Sequence, residues 1–235
     1  MRGGSVGTLF LSLLVLLIAL IAACAGAPRA APGVASELPL WQVAAADLHS
    51  QRLFRVSYSG PEGTGSFKVT LRLASLERYQ IQAADPLGRP LWSLDVGAGR
   101  GLWLDHRNHV YCTFSGRFDL SGLPLGPFPL LSLPALLLGR VPAEPRDTAA
   151  LGHEGGGISF RDASLRRWTA SPASGEVASW RLWEGDQPAV WWMRRDGWAI
   201  LSDRSRGVQV RWREVLHEAL LGEPAALTAP AGYRA

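Results

Sequence analysis

The sequence predicts a mainly β protein with some helix, an antiparallel meander that curls into an incomplete barrel around a short apolar helix. Three observations point there. Segments of alternating apolar and polar residues recur along the chain, separated by turns rich in Gly, Pro and Asp. In the middle, around Leu130 to Leu138, that alternation gives way to an uncharged leucine-rich run stopped by Gly139. A meander of roughly nine to eleven strands is also too long to stay flat, and its concave side needs filling.

The first element is not part of that fold. Arg2 precedes an apolar run from Leu9 that ends Ile21-Ala22-Ala23-Cys24. The run has signal-peptide length, shorter than the roughly 20 residues that cross a bilayer as a helix. An aliphatic residue, two small residues and a cysteine resemble the lipobox of bacterial lipoprotein precursors. That resemblance implies diacylation of Cys24 and cleavage before it. An ordinary secretory signal and an uncleaved anchor are the alternatives. The expected organisation is a signal peptide over 1–23, a flexible tether over 24–39 rich in Ala, Pro and Gly, and one barrel domain over 40–235.

Ser36 to Leu53 reads as a helix, with Ser36 as cap, Pro39 in the first turn, and Leu40, Val43, Ala44 and Leu48 on one face. Leu53 to Ser59 alternates as a strand. The clearest alternation follows, with Phe67, Val69, Leu71 and Leu73 opposite Lys68, Thr70 and Arg72. Tyr79, Ile81 and Ala83 continue it. Asp85-Pro86-Leu87-Gly88 is a tight turn in which Pro presets φ and Gly permits a positive one. Trp92, Leu94 and Val96 share the next strand face, and Leu102 to Asp105 with Val110 to Phe114 make a hairpin. After the Leu130 to Leu138 helix come six strand segments between Gly157 and Trp212. Glu214 to Leu221 reads as a last short helix, and the Pro- and Ala-rich tail from Pro224 to Tyr233 as a surface run.

Composition narrows function. The net charge is +4, with Lys68 the sole lysine and arginine scattered, so nothing marks a nucleic-acid footprint. The chain has two cysteines. With Cys24 lipidated, Cys112 has no partner and reads as a small core hydrophobe. Ten tryptophans are more than a core of this size usually needs. They fit either a packed interior or a cavity and rim. His106 and His109 lack a third metal ligand in reach and read as a solvated turn. Asp85, Asp95 and Asp105 lie at strand ends with no evident partner. Neither a catalytic triad nor a cofactor motif is visible, so a non-enzyme without cofactor is expected.

The stretch Arg78-Tyr79-Gln80-Ile81-Gln82-Ala83-Ala84-Asp85-Pro86-Leu87-Gly88 resembles the outer-membrane lipoprotein receptor family LolB. So do Leu91 to Val96, Leu102 to Tyr111 and Ser132 to Pro142, in order, together with the lipobox and the Trp41 region. The chain departs from that pattern after Trp212, where it continues to Ala235. The resemblance implies an unclosed barrel of about eleven strands, with helices inside as lid or plug and a hydrophobic cavity for the acyl chains of other lipoproteins. It implies receipt from a periplasmic carrier and release into the outer membrane, by a lipid-anchored, periplasm-facing monomer. Leu87 occupies the position of the leucine that protrudes for release. The alternative is an envelope lipoprotein of the same fold that binds another lipid or serves as an assembly partner. Phe67, Val69, Leu71, Tyr79, Ile81, Trp92, Leu94, Leu133, Leu136 and Leu137 are the expected cavity residues.

Overall fold

The computed structural model describes residues 39–115, 132–154, 156–173 and 176–235. Cys24 and the first part of the Leu130 to Leu138 run lie outside the described residues. Among the described residues, thirteen strands form one sheet. The first six are β1 (Ser50–Gly60), β2 (Gly63–Ser75), β3 (Arg78–Ala84), β4 (Pro90–Gly97), β5 (Arg100–Asp105) and β6 (Val110–Ser115). A five-residue helix, α1 (Leu133–Leu137), separates them from a second meander. That meander comprises β7 (Gly152–Glu154), β8 (Gly157–Arg161), β9 (Arg167–Ala173), β10 (Glu176–Glu184), β11 (Gln187–Arg195), β12 (Trp198–Asp203) and β13 (Val208–Ala219).

The two meanders join where β1 pairs with β13, and β6 and β7 are the sheet's edges. Every neighbouring pair is antiparallel. The sheet is therefore open, as the alternation predicts, and the short edge strand β7 adds to the expected count. Register follows the apolar rows. Val69, Leu71 and Leu73 oppose Ala83, Ile81 and Tyr79, which oppose Trp92, Leu94 and Val96. One sheet face thus collects the buried side chains, because the side-chain period of a strand is two.

Two expected helices are absent among the described residues. Residues 39–49 contain only a 3-10 turn, Ala45–Asp47, before β1 starts at Ser50. Leu40, Trp41, Val43 and Leu48 instead pack against the core from an irregular segment. Glu214 to Ala219 continues β13 and pairs with Ser50 to Phe54. The register shifts between Leu53 and Phe54, whose partners are Leu216 and Glu214, so Val215 is the extra bulged residue.

The C-terminal segment is a strap across β3, β4 and β5. Arg78 and Gln80 donate to the carbonyls of Pro224 and Ala225, and the Leu227 amide donates to Asp95 at 3.1 Å. Further on, the Tyr111 amide donates to the Arg234 carbonyl and the Arg234 amide to the carbonyl of His109 in the β5–β6 turn, and Tyr233 Oη meets His106 Nδ1 at 2.8 Å. The strap explains why four consecutive β4 residues, Ser93 to Val96, are buried, since core covers one face and strap the other. Asp95 also pairs with Arg78 at 3.1 Å. Cys112 is exposed on the edge strand β6, not in the core; beyond that edge the described residues form only the isolated bridge of Val110 with Arg234.

Candidate functional site

The concave face is built from aromatic and aliphatic rows. Phe160, Trp168, Trp180 and Trp192 step across β8 to β11, with successive centroids 6.4, 5.4 and 6.4 Å apart. The three tryptophans are fully buried, so this part of the Trp complement is packed interior. Offset and tilted aromatic pairs of this kind add to the burial of their area. On the other meander, Val69, Leu71, Tyr79, Ile81 and Leu94 are all at most 4 % exposed. Burial pushes the Tyr79 phenol well above its ordinary pKa and keeps it neutral.

Helix α1 sits against this surface. Leu133 and Leu136 are at most 2 % exposed, and the helix carries no charge. Its end is a Schellman motif, in which the Arg140 amide bonds the Ala135 carbonyl at 2.8 Å and the Gly139 amide bonds Leu136 at 3.0 Å. Gly139 has φ +74, as its place after the last helical turn requires. Trp212 Nε1 on β13 donates to the last-turn carbonyl of Leu137 at 3.1 Å. The plug is thus closed at its C-terminal end by one backbone motif and fastened by one indole and by the Val141 amide, which donates to the Leu40 carbonyl at 3.0 Å.

Beside that end lies a half-open pocket of about 490 Å³, within the size range of small-molecule sites. Phe54, Leu137, Leu138, Val177, Ala199 and Trp212 supply its apolar wall. Charged pairs form its rim. Arg52, with a side chain 10 % exposed, bonds Asp47 at 2.5 Å and Glu214 at 2.7 Å. Arg194 pairs with Glu176. Strand directions place these residues at one end of the sheet, here termed the mouth.

The β1–β2, β3–β4, β5–β6, β8–β9, β10–β11 and β12–β13 turns all fall at the opposite end. Four of them are tied by an aspartate that accepts backbone amides: Asp85, Asp105, Asp162 and Asp203. Asp85 is not unpartnered. It accepts from the Leu87 and Arg89 amides at 2.9 Å and from Arg89 Nε at 2.6 Å. Burial opposes its charge, but the bonds from Arg89 and Leu87 outweigh that and hold the carboxyl below its usual pKa. Held this way, the turn projects Leu87, which is 81 % exposed.

The expected residues therefore fall into three groups. Val69, Leu71, Tyr79, Ile81, Leu94, Leu133 and Leu136 are buried in one core cluster. Phe67, Trp92 and Leu137 are partly buried against it, and Leu137 alone of the ten lines the mouth pocket. Leu87 stands apart at the opposite end. Sequence reasoning missed Arg52, Glu214 and Trp212 as site residues. An arginine on the inward face of a strand was the available signal, and the helix expected over Ser36 to Leu53 hid it. His106 is not merely a solvated turn residue. It bridges Ser93 Oγ and Tyr233 Oη, both at 2.8 Å, beneath the strap.

No protein-family model and no curated protein matches the chain. Solved structures do. A LolA superfamily protein from Nitrosomonas europaea aligns over 76% of this chain and 88% of its own, with 7% identity and a TM-score of 0.50. A putative outer membrane lipoprotein-sorting protein domain from Vibrio parahaemolyticus aligns over 74% and 86%, with 6% identity and a TM-score of 0.45. A DUF1329 family protein from Desulfovibrio piger aligns over 74% and 87%, with 9% identity and a TM-score of 0.47. At such identities the first of these likenesses is one of fold, and the chain has the open LolA-type architecture.

Proposed function

We propose that this protein is an envelope lipoprotein, anchored through Cys24, that takes acyl chains against its concave face and passes lipoproteins to the outer membrane. It acts without catalysis or cofactor. The observation that carries the reading is the uncharged helix α1 seated on an apolar concave face beside an open, apolar-walled pocket. An acyl chain entering at the mouth displaces α1 and takes its place. The energies permit the exchange. Exposing Leu133 and Leu136 costs about 3–6 kcal/mol, whereas each methylene buried returns about 0.8 kcal/mol, so about eight methylenes offset the plug. At the opposite end, the exposed Leu87 side chain gains roughly 1.5–3 kcal/mol on entering a bilayer, enough to bias a handover but not to anchor a protein. The fold shared with a LolA superfamily protein supports this reading, as does the lipobox resemblance at Cys24.

Mass spectrometry of lipid extracted from the purified full chain, with intact-mass analysis of its N-terminus, tests the proposal. The expected result is bound long-chain acyl groups and a diacylated Cys24. Lipid-free protein that ignores added fatty acid overturns it. The packed row Trp168, Trp180 and Trp192 favours a second reading, in which the barrel is filled and the outer face docks on an assembly partner. That face carries Trp198 with the guanidinium groups of Arg211 and Arg213 over its ring, 5.1 and 4.9 Å from its centroid. Recovery of one stoichiometric protein without lipid selects that reading.

A further inference from the structure

The turn that projects Leu87 is built twice. In Asp85–Arg89 the first amide bonds the carbonyl of Arg89, and the fourth amide, that of Gly88, bonds the carbonyl of Asp85, both at 2.9 Å. One oxygen of Asp85 accepts the third and fifth amides, and the other accepts Arg89 Nε. In Asp162–Arg166 the Asp162 amide bonds the Arg166 carbonyl at 3.1 Å, and the Leu165 amide bonds the Asp162 carbonyl at 2.8 Å. One oxygen of Asp162 accepts the Ser164 and Arg166 amides at 2.9 and 3.0 Å, and the other accepts Arg166 Nε at 2.8 Å. The five hydrogen bonds correspond one to one.

The second copy also carries an exposed leucine. Leu165, 53 % exposed, takes the place of Gly88 and adopts φ +62, a conformation that side chains other than Gly and Asn rarely hold. Packing does not explain its apolar side chain, since more than half of it faces solvent. Both turns cap strands of the same direction, so they stand at the same end of the sheet, with six strands between the two hairpins. Exposed Arg89, Arg107, Arg161 and Arg204 share that end with exposed Glu62, Glu184 and Asp186, which lie at the β1–β2 and β10–β11 turns. At the two leucine turns themselves the guanidinium groups of Arg89 and Arg161 lie outside and the carboxylates of Asp85 and Asp162 are buried, a local arrangement that suits an anionic headgroup layer.

We propose that the Asp162–Arg166 turn is a second bilayer contact. Leu87 and Leu165 then enter an anionic lipid surface together from opposite sides of the open sheet and fix the domain's orientation on it. The inference rests on the membrane role proposed for Leu87 and extends it. Reach permits this orientation. The fifteen residues from Ala25 to Pro39 span up to about 50 Å. That exceeds the roughly 36 Å length of an eleven-residue strand such as β1. The rival orientation would rest on the mouth end, where Val215, Leu216 and Leu221 are exposed.

The test uses the full chain carrying Cys112→Ser, reconstituted in vesicles of phosphatidylethanolamine and phosphatidylglycerol. A nitroxide is attached at Leu87→Cys, Leu165→Cys or Leu216→Cys, and the parent without an added cysteine sets the background. Collision with a water-soluble nickel chelate reads exposure. A gain of one leucine's burial favours insertion by roughly tenfold or more, so accessibility at 87 and 165 falls about tenfold on reconstitution while 216 stays aqueous. An inserted 87 with an aqueous 165 overturns this inference alone. If both stay aqueous, or if 216 inserts in their place, the membrane role of Leu87 falls as well.

Discussion

Replacing Gly139 by Ala tests whether α1 is a displaceable plug. With α1 docked, Gly139 holds φ +74, which costs an L-residue about 1–2 kcal/mol. A Cβ there would lie 2.9 Å from Arg194 Nη2 and 3.1 and 3.2 Å from carbons of the Trp192 ring. The guanidinium can swing away, but the ring, fixed between Trp180 and the helix end, cannot. Both effects act on the docked state and vanish once the segment leaves the concave face. The variant therefore raises the population of the undocked form by about fivefold to thirtyfold. A ligand that binds only that form gains apparent affinity by the same factor while the form stays minor. Titration of the full chain with a fluorescent fatty acid measures this, alongside denaturant unfolding. The expected outcome is a protein about 1–2 kcal/mol less stable that binds about fivefold to thirtyfold more tightly. A destabilised protein with unchanged or weaker affinity refutes displacement of α1 by the acyl chain.

Leu87→Glu leaves the melting temperature unchanged, because the side chain touches little, and abolishes transfer of a bound lipoprotein into vesicles; normal transfer removes the assigned role. Leu165→Asn stabilises the protein by about 1 kcal/mol, since Asn tolerates the left-handed conformation; thermal unfolding checks it. Asp162→Asn loses about 1.5–3 kcal/mol, because the carboxylate serves both Arg166 and Trp168 Nε1, and denaturant titration reads the loss. Burial opposes the charge of Asp162 and Asp105, yet their hydrogen bonds, from Trp168 and Arg166 and from Asn108 and Arg107, hold both below the usual carboxyl pKa. The stability they add is full above the unfolded value of about 3.9 and is lost as pH falls through their lower folded values. His106 shifts down through burial, aided by His109 and opposed by Asp105. Its proton binds the unfolded chain better, so strap docking weakens as pH falls below about 6.5, seen as faster amide exchange over 224–234.

Much of the sheet was legible because its register follows side-chain alternation. The rows Phe67 to Leu73, Tyr79 to Ala83 and Trp92 to Val96 need only the period of two and a buried face. The failures have equally local causes. At the β1–β13 junction the bulge at Val215 inverts the alternation, so Glu214 to Leu221 loses its strand signature and its apolar spacing imitates a helix turn. Leu40, Val43, Ala44 and Leu48 have helical spacing, yet tertiary packing against the core overrides it. The strap could not be read at all. A Pro- and Ala-rich tail gives no period, and the buried polar run of Gln80, Ser93 and Asp95 that it covers reads as an exposed face until a partner is placed on it. The twin turns were readable. Asp85 and Arg89 share their spacing with Asp162 and Arg166, but only the first pair carries the Pro-Leu-Gly that draws attention to a turn.

The two ends of the sheet are held by different forces, and this sets where the molecule opens. At the Leu87 end, aspartates bind backbone amides within their own turns, short-range contacts that survive motion elsewhere. At the mouth the ties run between different elements, and Arg52 holds Asp47 and Glu214 from a nearly buried position. Beside the helix end, Arg194 and Glu176 pair through side chains 42% and 60% exposed, a geometry in which ion pairs contribute about 0–1 kcal/mol. The helix end adds the indole bond at Leu137 and the bond from the Val141 amide to the Leu40 carbonyl, and a typical hydrogen bond contributes only about 0.5–1.5 kcal/mol. Local opening begins where the fewest strong contacts must break together. Amide exchange of the described residues 133–141 should therefore be faster than that of the Asp85 and Asp162 turn amides, despite the deeper burial of α1. The reverse order would mean that apolar packing of Leu133 and Leu136 governs the mouth, and that acyl chains must wait for global unfolding to enter.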